Sequence, residues 1–175
     1  MKYLSEKRAL EKLYKLKSDF RETMSRDYEH KAKSCLTCNT KGACCVDAHF
    51  VNVHITRLES AAIHNALSKM QEVKRDEVYR RIENSIKEYN LTEAGDTFEQ
   101  TFACPLFEPE IGCLVHQEGK PLPCISHACY ENKADLPPDN LQTEQEIAVD
   151  DLTRKTYGAD ARLLPLPVAL LRDRS

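Results

Sequence analysis

The first part of the chain carries one apolar stripe at helical spacing, with Lys, Arg and Glu between its members. The stripe consists of Leu10, Leu13, Leu16 or Lys17, Phe20, Met24 and Tyr28. No Gly or Pro interrupts it, so the pattern predicts a long amphipathic helix over residues 3–31. Such a stripe serves core packing or a seam between two copies of the chain.

The middle of the chain predicts a short strand and two more helices. Alternating β-formers (Val51, Val53, Ile55) indicate a half-buried strand within residues 48–56. Thr56 and Glu59 have the spacing of a capping box, which predicts a helix over 57–69. In this helix Leu58, Ala62 and Leu67 are expected to face inward. A second helix is expected over 71–89, because Val78, Ile82, Ile86 and Tyr89 share one helical face.

The last third alternates turn formers with one helical pattern. Residues 90–101 look like a loop, and C-P-L-F and C-L-V-H are expected to form the arms of a small hairpin within 104–130. Residues 134–140 read as a linker. A helix over 142–157, with Ile147, Ala148 and Leu152 on its inner face, would stop at Gly158. The apolar tail from Leu163 contains two prolines and is expected to pack as an extended strap.

These elements predict a mainly α fold with a small β element, in the α+β class. We expect a single domain whose loops are pinned by a cysteine metal site. Its segments are an N-terminal amphipathic helix (1–33), a cysteine-cluster region (34–133), and a C-terminal helix and tail packed on the same domain (134–175).

Composition and charge narrow the class of protein. The chain has 175 residues, 41% of them hydrophobic and 30% charged, and no Trp. Residues 1–33 carry ten Lys or Arg against six Asp or Glu, but the charges are mixed around the helix, so an ordinary solvated face is expected rather than a nucleic-acid surface. There is no apolar run of signal or membrane-spanning length. We therefore expect a cytoplasmic protein that does not contact a membrane.

The cysteines are confined to two short runs. They are Cys35, Cys38, Cys44 and Cys45 in the first, and Cys104, Cys113, Cys124 and Cys129 in the second. In a reducing compartment disulfides are rare, so eight cysteines point to metal rather than to four disulfides. The CxxC pair suits one centre, because thiolates bind zinc and iron strongly.

The adjacent pair Cys44 and Cys45 changes the number of metal ions that the sequence predicts. Cys44 and Cys45 diverge from one backbone and favour a polynuclear centre. The alternative is that one of them is a buried apolar thiol. His116 and His127 adjoin the second run and are candidates for contacts to the sulfur atoms or, less often, for ligands. The spacing alone leaves both iron–sulfur and zinc open.

An ordered set of motifs joins the two runs. C-x-x-C and C-C are followed by C-P-L-F at 104–107, C-L-V-H at 113–116 and K-P-L-P-C at 120–124. Over residues 35–129 this set is similar to the cysteine-cluster family described as zinc- or iron-chelating, the CxxCxxCC or YkgJ-like proteins. Lys120 and Ile125 stand where that family has Arg, the gap from Cys38 to Cys44 is wider, and Cys129 is additional. The resemblance implies cysteine ligation. Family members are often labelled iron–sulfur oxidoreductases, and a related cluster occurs in a flagellin-modifying methylase.

Three functions fit these observations. The centre is structural or passes electrons to a redox or protein partner, it is used by a modifying enzyme or oxidoreductase, or it is cargo of a metal carrier. The chain has no Gly-rich phosphate loop, no dinucleotide fingerprint, no H-E-x-x-H and no C-x3-C-x2-C motif, which favours the first reading. An iron–sulfur cluster, for instance of the 4Fe–4S type, is the preferred cofactor, with zinc second. A homodimer through the N-terminal helix is a further expectation.

Overall fold

The computed structural model describes residues 3–34, 41–46, 51–94, 99–158 and 162–174. The helices are α1 Glu6–Asp27, α2 Ala43–Val46, α3 Arg57–Ser68, α4 Glu72–Glu88, α5 Leu122–Ser126, α6 Asp139–Tyr157 and α7 Leu166–Arg172. The strands are β1 His54–Ile55, β2 Phe107–Glu108, β3 Gly112–Cys113 and β4 Leu164–Pro165. Short 3₁₀ turns cover Glu29–Lys31 and Lys133–Asp135. The fold is mainly helical with two small antiparallel strand pairs, as the sequence predicted.

The apolar stripe of α1 is used inside the chain. Its buried positions are Ala9, Leu13, Lys17, Phe20 and Met24. This face packs against α3, α5 and α6, where Leu58, Leu122 and Val149 complete a cluster of buried side chains. The stripe that suggested a homodimer is therefore accounted for by packing within one chain.

The helix starting after Thr56 has the predicted cap. Thr56 Oγ1 accepts a hydrogen bond from the Glu59 backbone N–H at 3.3 Å, and Glu59 Oε2 accepts one from the Thr56 backbone N–H at 3.2 Å. The predicted inward residues of α3 are all buried. Along α4, Val78 and Ile82 are buried, and α4 packs against α7 over the second cluster of core side chains.

The C-terminal tail differs from the predicted extended strap. Leu164 and Pro165 form β4, which pairs antiparallel with β1, and residues 166–172 then form α7. The two prolines fit because Pro165 is the N-cap residue and Pro167 lies in the first helical turn, where no backbone N–H is needed for an intrahelical bond. The tail carries core residues rather than a surface strap, since Leu166, Ala169 and Leu170 are buried.

The strand and the sixth helix also depart from the pattern. The regular strand is limited to His54 and Ile55, which are both buried, so it is shorter than the predicted strand and is not half-buried. Residues 48–50 of the predicted strand lie outside the described residues. The helix α6 exists, but Val149 and Thr153 form its buried face while Ile147 is 65% exposed. Part of the predicted 90–101 loop, residues 95–98, is likewise not described. Within the described ranges, no helix has both the length and the apolarity that crossing a membrane requires.

His54 should make folding sensitive to acid. Its ring Nδ1–H donates to the Asn52 carbonyl at 2.6 Å, and burial lowers its pKa below the ordinary 6.5. The unfolded chain therefore binds more protons below pH 6.5, so this contribution to stability is present above that pH and is lost as the pH falls.

Urea unfolding at pH 7.5 and at pH 5.5 measures this contribution. We expect His54→Gln to reduce the loss of unfolding free energy between the two pH values by about 1 kcal/mol. Burial also lowers the pKa of His64, which is present in both proteins. Its contribution to the pH dependence is therefore the same in wild type and variant. Equal losses in wild type and variant would contradict the prediction.

Candidate metal site

The hairpin of β2 and β3 presents two of the predicted ligands. Phe107 pairs with Cys113 in antiparallel register, as the two motif arms predicted. The backbone of Leu106 and Phe107 lowers the pKa of Cys104, and that of Val115 lowers the pKa of Cys113, although burial has the larger and opposite effect on both. Amide donors aimed at sulfur stabilise a thiolate and fix its direction. Each hairpin arm thus holds one cysteine in a similar local turn.

Two backbone hydrogen bonds join the cysteine runs. The Cys104 N–H donates to the Cys45 carbonyl at 2.7 Å. The Lys33 N–H, two residues before the first run begins, donates to the Cys129 carbonyl at 2.9 Å in an isolated antiparallel bridge. Chain segments far apart in sequence are thereby tied together close to both ends of the first run.

Four thiols from both runs lie in one neighbourhood. Cys45 interacts electrostatically with Cys104 and Cys124, and both Cys104 and Cys124 interact with Cys113. Burial, with a smaller contribution from the neighbouring cysteines, raises the pKa of Cys104 and of Cys124 to about 12. Burial also raises the pKa of Cys113. Thiolates crowded this way repel one another, and a bound cation relieves that repulsion.

Cys44 turns to a different partner from Cys45. Hydrogen bonds from the Cys45 thiol and from His127 lower the pKa of Cys44, while the bond to Cys44 raises the pKa of His127. The hydrogen bond to Cys44 raises the pKa of Cys45. The two adjacent thiols therefore interact with each other, while Cys44 also interacts with His127 and Cys45 also interacts with Cys104 and Cys124. His127 contacts a cysteine directly.

The remaining predicted site residues are not all brought together. Cys35 and Cys38 lie outside the described residues, Cys129 is exposed, and His116 is exposed with its pKa lowered by partial burial and then by Lys120. The six described cysteines are free thiols. In the described ranges, no group of three or more Cys, His, Asp or Glu side chains has an arrangement that could hold a metal ion.

A buried ionic network supports the second run. Lys17 Nζ lies 2.8 Å from Glu59 Oε1, and the two side chains are only 7% and 3% exposed. Lys17 Nζ also donates to the Lys120 carbonyl at 2.9 Å, and Glu59 Oε1 accepts from the Leu122 N–H at 3.0 Å. The chain is thereby fixed immediately before Cys124. In the sequence, only the position of Lys17 on the apolar face of α1 pointed to this network. The ion pair with Glu59 was not predicted.

Gly42 packs against the ring of Phe107 in the hairpin. It has φ +77°, and a Cβ atom built there would lie 2.0 Å from Cζ of the Phe107 ring. The backbone before α2 therefore packs directly on a hairpin side chain. Only glycine combines this left-handed conformation with such close approach. The contact aligns the C-C pair with the C-P-L-F motif.

Comparison with known proteins gives no match. No protein-family model, no curated protein and no solved structure matches the chain. The resemblance to the cysteine-cluster family therefore stays a prediction.

Proposed function

We propose that this is a metal-binding protein that holds an iron–sulfur cluster or zinc between its two cysteine runs, in the reducing cytoplasm. The observation that carries the proposal is the 2.7 Å backbone hydrogen bond from Cys104 to Cys45, which joins the runs. The chemistry of the donors supports the proposal, because partly buried thiols, deprotonated on binding, are ligands that both zinc and iron prefer. Cys45, Cys104, Cys113 and Cys124 would supply ligands, together with Cys35 and Cys38.

The role we favour is structural or electron-transferring. The two cysteine runs lie far apart in the sequence. The segment 99–138 has few regular backbone hydrogen bonds of its own, so a bound metal would stabilise it by cross-linking. A cluster would also supply one-electron chemistry. Cys44 and His127 would lie beside the ligands, where a hydrogen bond to sulfur tunes a centre. The enzyme and carrier readings are alternatives, and no described feature favours either.

Metal analysis tests the proposal. We expect anaerobically purified protein to contain iron and acid-labile sulfide, and Cys35→Ala or Cys124→Ala to lose both together with solubility. Cys129→Ala is the matched control, because Cys129 is exposed and should matter least. If the protein is colourless and contains stoichiometric zinc but no sulfide, the bound metal is zinc and not an iron–sulfur cluster. Protein without metal under anaerobic purification would refute the proposed function.

A chelator separates the roles. If the centre is structural, complete metal removal should abolish the helical circular dichroism signal in parallel with metal loss. A fold that survives removal would contradict the structural role and favour the carrier.

A further inference from the structure

A polar cleft of about 860 Å³ lies away from the cysteine runs. Its walls come from the first half of α1, from α3 and α4, and from the segments that end α6 and follow α7. The volume is within the range of small-molecule sites. None of its lining residues is a cysteine, so its chemistry is independent of the proposed metal.

Arg57 and Arg174, two of the three arginines that line the cleft, lie over tyrosine rings. The Arg57 guanidinium lies 4.4 Å from the Tyr157 ring centre, and the Arg174 guanidinium lies 3.9 Å from the Tyr79 ring centre. Stacking fixes the plane of a guanidinium but leaves its N–H edge available for hydrogen bonds. Arg174 approaches Glu83 only to 3.7 Å. Arg57 forms no ion pair within the described part of the chain. Both arginines are thus preorganised, with donors to spare.

Neutral polar groups line the same cleft. The Tyr79 hydroxyl lies 2.8 Å from His64 Nδ1, and Asn65 donates to the Tyr14 hydroxyl at 2.9 Å. Burial lowers the pKa of His64, which is therefore neutral near pH 7. These groups offer hydrogen bonds without adding charge.

The acidic side chains of the cleft restrict what can enter. Glu6 accepts a hydrogen bond from the Tyr157 hydroxyl at 2.6 Å, and Asp173 accepts one from Arg172 at 3.1 Å, so both carboxylates are engaged. Glu11 and Asp76 also line the cleft and contribute negative charge. Such a mixed field disfavours a polyanion and admits a compact ligand whose acidic group reaches an arginine edge.

We propose that this cleft binds a small molecule through oxyanion groups, carboxylate or phosphate, that accept hydrogen bonds from Arg57 and Arg174. Arginine suits both anions because its planar fork matches two oxygens at once. The fixed guanidiniums lose little conformational freedom on binding, which favours affinity.

Isothermal titration of the full chain with inorganic phosphate and, separately, with succinate tests the site and distinguishes the two anions. We expect one probe to bind, with affinity lowered about tenfold by Arg57→Gln and by Arg174→Gln. Arg80→Gln is the matched control, because Arg80 is an exposed residue of α4 outside the cleft, and it should leave binding unchanged. Arg57→Lys keeps the charge, so weaker binding with an unchanged circular dichroism spectrum would assign the effect to the lost fork.

Two results would overturn the proposal. One is the absence of binding of either probe at millimolar concentration. The other is an equal loss of affinity in Arg80→Gln and in the cleft variants, which would indicate diffuse charge attraction. Metal content should be the same in all these proteins, so failure here leaves the metal proposal untouched.

Discussion

Replacing Glu59 by glutamine should lower the free energy of unfolding by roughly 3–5 kcal/mol. The change removes one partner of a buried ion pair and leaves the Lys17 ammonium in the core without a counter-charge. The Leu122 N–H also loses a charged acceptor, so the segment before Cys124 should loosen. Urea unfolding measures the stability, and metal content of the same samples reports the effect on the cysteine runs.

Two variants make this test specific. Asp19→Asn breaks the exposed ion pair between Lys15 and Asp19 on α1, the helix that carries Lys17. This change should alter the free energy of unfolding little, because water already solvates both charges. Lys17→Met combined with Glu59→Gln removes both charges and should recover much of the loss. If Asp19→Asn and Glu59→Gln lower the free energy of unfolding by similar amounts, burial of the Lys17–Glu59 pair has no special energetic effect and the prediction is wrong.

Replacing Gly42 by alanine should cost roughly 2–5 kcal/mol of unfolding free energy. The new methyl group adds strain at φ +77° and overlaps the Phe107 ring, so α2 and the hairpin can no longer pack as they do. Because this contact aligns both cysteine runs, metal binding should weaken as well. Chemical unfolding and metal content measure the two consequences.

Gly158→Ala is the control for backbone strain alone. Gly158 also has a positive φ, but nothing lies within 4 Å of a Cβ atom built there. In a Phe107→Ala background, Gly42→Ala should retain only a strain cost comparable to that of Gly158→Ala. If its cost is the same with and without the Phe107 ring, the steric explanation is wrong.

Local signals predicted most of the fold. The Thr56–Glu59 cap, the face of α4 and the small hairpin each depend on residues close in sequence, where periodicity and side-chain reach decide the outcome. The pairing of β1 with β4 did not follow from any local pattern, since it joins two-residue strands about 110 positions apart. Ile147 was misplaced because the apolar positions of α6 fit two faces, and packing against α1 selected Val149.

The cysteine content predicts metal chemistry, which stays a prediction, whereas the contacts of each thiol did not follow from the sequence. The metal prediction depends on the eight cysteines and on an expected reducing compartment. The neighbours of each thiol depend on the backbone path, which is why spacing did not pair Cys44 with His127 or Cys45 with Cys104. The buried ion pair between Lys17 and Glu59 was not predicted. A lysine within an apolar stripe suggests a solvent-exposed side chain, and the sequence does not show that a buried carboxylate lies next to it.

The tie between Cys45 and Cys104 also sets an order for biosynthesis. About sixty residues separate the two positions, so at 5–20 residues per second the ribosome needs roughly 3–12 s to make the second after the first. During that interval the N-terminal thiols have emerged without their partners and can react with oxidants or with stray metal. Slower translation lengthens this interval and with it the exposure of the unpaired thiols.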